Sequence, residues 1–343
     1  MENPNDRGTR PLILERLPAH VVDSMQQLKR WVADLPKGPG GYEYLIADLQ
    51  SWRPGQTVRV AFLGGSPRLH RQIEEATQTI TDHANLTLSF REGDTYRTWT
   101  EADTEYAGEI RVSFDEQGYF SLVGTDSCSS VIGSSPKESV GGRPHQRSLN
   151  LGGFDRDLPT NWKGTVRHEF LHALALHHEH QNMRGPCENA FRWDDDPDYE
   201  PTTDTSGVFV EDADNRRPGI YTYLSGSPNH WSREDVDFQL RTNYSDPRVA
   251  SGPFDASSIM LYRFEPLYYK TDPSPCAAIG DGQELSEGDI RALRVLYPQQ
   301  LMSIEAVNQR REAMLGTIRS ESEGGFESVS RYELDAIKRL EMP

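Results

Sequence analysis

Five of the chain's ten histidines fall within thirteen residues: His168, His172, His177, His178 and His180, in the stretch VRHEFLHALALHHEHQNMRGPC from Val166 to Cys187. The heart of this stretch is H-E-x-x-H. On a helix, positions i and i+4 share a face. His168 and His172 can therefore offer two imidazole nitrogens to one zinc ion at about 2.0–2.1 Å. Glu169, beside the first ligand, can reach a water activated by the metal without binding the metal itself. Phe170, Leu171, Ala173, Leu174, Ala175 and Leu176 are mostly good helix formers and give such a helix a side to bury. Taken alone, the pattern also fits a helix with core histidines and a chance glutamate.

A third ligand distinguishes the two readings. His178 lies six residues past His172, roughly 240° further round a straight helix. It reaches the same metal only where the helix stops near Ala175 and the chain turns. In this form HEFLHALALHHE resembles the metzincin signature H-E-x-x-H-x-x-G-x-x-H, and the Glu179 that follows is the mark of the astacin family. The resemblance implies His168, His172 and His178 as zinc ligands. In mature astacins the freed N-terminus pairs with the glutamate after the third histidine, which implies a structural role for Glu179. One position departs from the pattern: Ala175 stands where the family usually has glycine. A positive φ there costs alanine about 1–2 kcal/mol, and a differently built turn leaves His177 as the alternative to His178. A carboxylate third ligand such as Glu188 is the reading of another zincin type.

The segment FDASSIMLYRF (254–264) resembles the Met-turn. The resemblance places Met260 beneath the zinc site and gives Tyr262 the role of holding the oxyanion. Without the histidines, SIMLY reads as a buried strand. SWRPGQTVRVAF is similar to the first astacin strand, and YFSLVGTDS (119–127) and SLNLGGF (148–154) to the strands before the zinc helix. The second of these is implied to be the edge strand along which substrate lies, through Leu149, Asn150, Leu151, Gly152 and Gly153. LSEGDIRALRVLYP is similar to the C-terminal metzincin helix. The family's disulfide cysteines have no counterparts at the positions that align.

The flanking pattern supplies the elements that must hold such a site. Val21, Met25, Leu28, Val32 and Leu35 recur at helical spacing over 17–35 and give an amphipathic helix, ended by PKGPGG at 36–41. TVRVAF (57–62), LTLSF (86–90), EIRVSF (109–114) and RSLNLGGF (147–154) alternate like strands. Ser66 caps a helix with Pro67 in its first position, and Ser286 caps a late helix bearing Ile290, Leu293, Leu296 and Tyr297. The expected class is α+β, of metzincin-type zincin fold: a twisted mixed sheet, a zinc-bearing helix, and a loop-rich C-terminal subdomain with the Met-turn and the late helix. The expected divisions are a helical N-terminal extension over 1–42, either a pro-segment or a permanent helix, an astacin-like catalytic domain over 43–300, and a charged, partly helical tail over 301–343.

Bulk properties narrow the partners. The net charge of −17 repels nucleic acid and anionic membranes, and no apolar run is long enough to span a bilayer. Cys128, Cys187 and Cys276 form no disulfide framework, and one bridge or three free thiols are equally open. The first residues lack a signal-peptide core, so the expectation is a cytoplasmic chain or one separated from its leader. WDDDPDYE (193–200) reads as a solvated acidic loop, with a calcium site as the sharper alternative. His20, His70, His83, His145 and His230 are scattered and need no role, and His177 and His180 are expected at the surface or behind the ligands. The function expected is that of a monomeric zinc endopeptidase acting on peptide or protein substrates, with Glu169 as general base and Tyr262 assisting. Its alternatives are a specialised peptide-maturation protease and a catalytically silent zinc-binding relative.

Overall fold

The structure, a computed structural model, describes residues 17–34, 49–133, 135, 137–242, 252–323 and 330–342. The PKGPGG segment and the first residues lie outside the described residues. The helices are α1 (Ala19–Asp34), α2 (Pro67–Thr81), α3 (Trp162–Ala173), α4 (Cys187–Ala190), α5 (Ile220–Ser225), α6 (Arg233–Leu240), α7 (Glu287–Leu296), α8 (Leu301–Glu323) and α9 (Arg331–Leu340). The strands of the main sheet are β1 (Thr57–Phe62), β2 (Thr87–Ser89), β5 (Ile110–Ser113), β6 (Tyr119–Ser121) and β7 (Leu149–Leu151), with the short pair β3 (Arg91–Glu92) and β4 (Thr95–Tyr96) beside it in sequence. A second short pair is formed by β8 (Thr202–Thr203) and β9 (Phe209–Val210).

Residues cluster into two compact units. The first holds the described residues of 17–177, 252–260 and 280–342. Its sheet runs in the order β2-β1-β5-β7-β6. The first three pairings are parallel, with Thr57 opposite Thr87, Val60 opposite Ile110 and Val112 opposite Leu149. The last, Tyr119 opposite Leu151, is antiparallel. Val58, Val60, Phe62, Ile110, Val112, Leu149 and Leu151 pack with Leu69, Ile73 and Ile80 of α2 and with Phe170 and Leu171 of α3 in one core. The mixed sheet backed by helices is the α+β arrangement expected.

The strand order corrects one expectation. Leu149, Asn150 and Leu151 lie inside the sheet, paired to β5 on one side and β6 on the other. The Gly152 and Gly153 amides donate to Gly118 and Phe114 carbonyls at 3.0 and 2.9 Å. This main chain is already committed and has no edge to offer. Among the described residues, the antiparallel end of the sheet is β6.

The caps read from sequence are present. The Ser66 side chain accepts from the Leu69 amide, and Ser286 forms a capping box with Asp289 at the start of α7. The Asn85 side-chain amide donates to the Pro298 carbonyl at 2.9 Å. The region 301–343 contributes two helices to the first unit, and Val307, Met314, Ile318, Ala336 and Leu340 are buried.

The second unit holds the described residues of 178–242 and 261–279 and is loop-rich. Cys187 and Cys276 are bridged within it, whereas Cys128 of the first unit is a buried free thiol. Its acidic loop is tied down through its carboxylates, Asp195 accepting from the Gly219 amide at 2.7 Å and Asp196 from the Arg217 amide at 2.9 Å, while Asp212 accepts from the Glu200 amide at 3.1 Å.

Helix α1 buries the face read from its spacing: Val21, Met25, Leu28 and Val32 are all buried. Trp31 stacks on Tyr332 of α9 at 6.0 Å, and the Tyr332 hydroxyl donates to Gln27 at 2.9 Å. Deletion of residues 1–42 is therefore expected to cost several kcal/mol, since each buried apolar side chain is worth about 1.5–3 kcal/mol. Thermal unfolding and turnover of a generic protein substrate check this. A soluble, more active product would identify a pro-segment instead.

Candidate metal centre

The local chemistry of the chain decides where α3 ends. Ala175 has φ +69°, the left-handed conformation that alanine adopts at a cost. The Ala175 amide donates to the His172 carbonyl at 2.8 Å and the Leu176 amide to the Leu171 carbonyl at 3.0 Å. These are the paired 5→2 and 6→1 bonds of a Schellman motif, with buried Leu171 and Leu176 as its apolar contact. Two further end carbonyls find distant donors: Trp52 Nε1 gives to Ala173 at 2.8 Å and the Tyr297 hydroxyl to Leu174 at 2.9 Å. Space for the alanine methyl comes from Gly124, itself at φ +52°, where an added Cβ would lie 3.0 Å from Ala175 Cβ and 1.9 Å from the Gln50 carbonyl oxygen. The departure from the family's glycine is thus met by a glycine elsewhere.

Beyond this turn, one ligand atom from each of His168, His172 and His178 lies within 4.8 Å of the others. Among the described residues no other three histidines, cysteines or carboxylates come together in this way. The Glu188 alternative falls away, because its carboxylate pairs with Arg241 and accepts from the Thr242 amide at 3.0 Å. The rings of His168 and His172 stand 4.8 Å apart and nearly perpendicular. His168 Nδ1 meets the Ile259 carbonyl oxygen at 2.8 Å, and His172 Nδ1 meets the Leu176 carbonyl oxygen at 2.7 Å. A carbonyl only accepts, so each Nδ1 carries the proton and each Nε2 keeps its lone pair for a metal. Three imidazoles in close array are a donor set suited to zinc.

His177 is excluded by its own partner. Its Nε2 lies 3.0 Å from Gln50 Oε1, and burial, with help from Lys29 and His172, holds its pKa down to about 3. Glu169, one residue from the first ligand, is only 2% exposed. Burial, and then the Glu169 charge, raises the pKa of the Tyr119 hydroxyl on β6.

Met260 is buried, and its amide donates to Ser258 Oγ at 3.0 Å. Asp289, in the first turn of α7, accepts from Ser258 Oγ at 2.6 Å and from the Ile259 amide at 3.1 Å. This carboxylate fixes the segment whose Ile259 carbonyl orients His168. Sequence reasoning missed it; the one available signal was Ser286 followed three residues later by an acid.

In the second unit the Tyr262 ring lies 4.3 Å from the His178 ring and 4.9 Å from the His180 ring. His180 is fully buried and meets the Gln239 carbonyl at 2.8 Å. Its ring stacks on that of His178 at 4.9 Å, the second of the two places expected for it. Glu179 accepts from the Asn182 side chain at 2.9 Å, a local partner.

Among solved structures, the chain is similar to myroilysin, with 26% identity over 74% of this chain and 97% of that one and a TM-score of 0.50. It is also similar to high choriolytic enzyme 1, a hatching enzyme zinc-protease from Oryzias latipes (Medaka fish), with 16% identity, 74% and 97% covered, and a TM-score of 0.41. No protein-family model and no curated protein matches the sequence. The resemblance to astacin-like zinc metallopeptidases, read from the histidine segment, is thus a resemblance of fold as well.

Asp289→Ala is expected to lower the unfolding free energy by at least about 2 kcal/mol, because it strands buried donors at Ser258 and Ile259. Urea unfolding of the metal-free chain measures it, and an unchanged midpoint would count against this role.

Proposed function

We propose that this chain is a zinc-dependent endopeptidase of the astacin-like metzincin type, with His168, His172 and His178 as metal ligands and Glu169 as general base. The observation that carries the reading is the histidine triad, with the Nδ1 atoms of His168 and His172 committed to main-chain carbonyls. When bound, zinc supplies Lewis acidity, polarising the scissile carbonyl and lowering the pKa of water.

The remaining steps belong to the chain. Glu169 takes the proton of the attacking water and passes it to the leaving amine nitrogen. Its place next to His168 on a buried helix supports that role. The Tyr262 hydroxyl donates to the oxyanion that develops on the carbonyl, with its ring held among His178, His180 and Phe264. Extended substrate adds to the sheet at β6, Tyr119–Ser121, through main-chain hydrogen bonds. The strand order supports β6 over the segment Leu149–Gly153. Met260 and Glu179 are structural in this reading. An intact Glu169 favours catalysis over a silent binding role.

The chain is expected to hold one zinc, and metal analysis after zinc soaking tests it; fewer than about 0.2 equivalents would sink the reading. Glu169→Ala should keep the metal and lose several orders of magnitude in kcat. Near wild-type turnover in that variant would remove Glu169 from the role of base. Tyr262→Phe should bind zinc and substrate normally while kcat falls about 10²–10³-fold; steady-state kinetics separate the two parameters, and a change confined to KM would contradict the assignment.

A further inference from the structure

Helix α9 carries charge into the interior of the first unit. Arg339 and Asp335 are 0% and 1% exposed, where charge survives only if paired. Asp335 accepts from Ser129 Oγ at 2.8 Å and from the Ser130 hydroxyl at 2.9 Å. Arg339 pairs with Asp126 and donates to Thr125 Oγ1 at 3.1 Å. The other carboxylate oxygen of Asp126 accepts from Gln50 Nε2 at 2.7 Å, and Gln50 Oε1 faces His177 Nε2 at 3.0 Å.

The chemistry gives this chain of bonds one direction. A carboxylate only accepts, so the Gln50 NH2 must face Asp126. Its carbonyl oxygen is then left for His177, whose Nε2 must carry the proton. The α1 residues Met25, Leu28 and Val32 line a cavity of about 20 Å³ with Leu49, Gln50 and Asp126, which leaves room for roughly one water.

His177 lies in a three-residue stretch with two tasks at the metal centre. The Leu176 carbonyl orients His172, and the next residue, His178, is itself a ligand. Anchoring the His177 ring fixes the backbone that joins them. We infer that Gln50, backed by Asp126 and Arg339, is a positioning residue for the metal centre, acting through His177, and that the C-terminal helix α9 is part of the active-site support. The inference rests on the zinc reading above. None of these residues touches the reacting atoms, so the expected effect is on metal affinity.

The test uses the full chain, stripped of metal and titrated with zinc against a competing chelator. The temperature is one at which near-ultraviolet circular dichroism shows every variant folded. Gln50→Leu keeps the volume and removes both amide functions, and His177→Leu removes the donor. Each is expected to raise the zinc Kd about 10–100-fold. His177→Gln restores an N–H near the Nε2 position and is expected to bring the Kd back to within about threefold of wild type. A Kd unchanged in His177→Leu, or raised equally in the Leu and Gln variants, overturns the inference and leaves the zinc reading standing. If the wild-type chain itself takes up no zinc, the zinc reading falls and the inference with it.

Discussion

A left-handed alanine at the end of one helix controls the rest of the site. Without a turn at Ala175, His178 would leave the face that His168 and His172 share. The turn is costly for a residue with a Cβ. Its stability comes from two Schellman hydrogen bonds, from the apolar pair Leu171 and Leu176, and from the donors Trp52 and Tyr297. Gly124 leaves the space that the alanine methyl fills. A local departure from the usual glycine is therefore compensated at positions up to 123 residues away in sequence.

His168 and His172 are each oriented by a main-chain carbonyl. Carbonyls of Ile259 and Leu176 fix the tautomers of His168 and His172. A main-chain partner moves only when the backbone moves. The demand for precision passes to whatever fixes those two carbonyls. For Ile259 that is Asp289, which also caps α7. For Leu176 it is the turn itself, with the network behind His177.

The charges buried beneath α9 have a similar logic. A buried arginine and two buried aspartates cost desolvation that only complete pairing offsets. Arg339, Asp335 and Asp126 meet that demand with Thr125, Ser129, Ser130 and Gln50. Helices α1 and α9 touch through Trp31 and Tyr332, so the N-terminal helix and the C-terminal helix belong to the same compact unit as the sheet.

The histidine triad, the amphipathic helices and most strands were legible in the sequence because each depends on spacing along one segment. The spacing of four puts His168 and His172 on one face, and alternation marks Thr57–Phe62 and Ile110–Ser113 as strands. Ser66 and Ser286 announced their helices through the polar atoms that helix starts require. Strand order was not legible, because alternation is the same in an edge strand and an interior one; only the packed sheet put Tyr119–Ser121 outside Leu149–Leu151. The reach of Asp289 to the Ser258–Ile259 segment and the pairing of Arg339 with Asp126 were equally hidden. A polar residue in a sequence carries no sign of the partner that will make its burial affordable; tertiary structure decides that, by bringing donors and acceptors together from segments that share no local pattern.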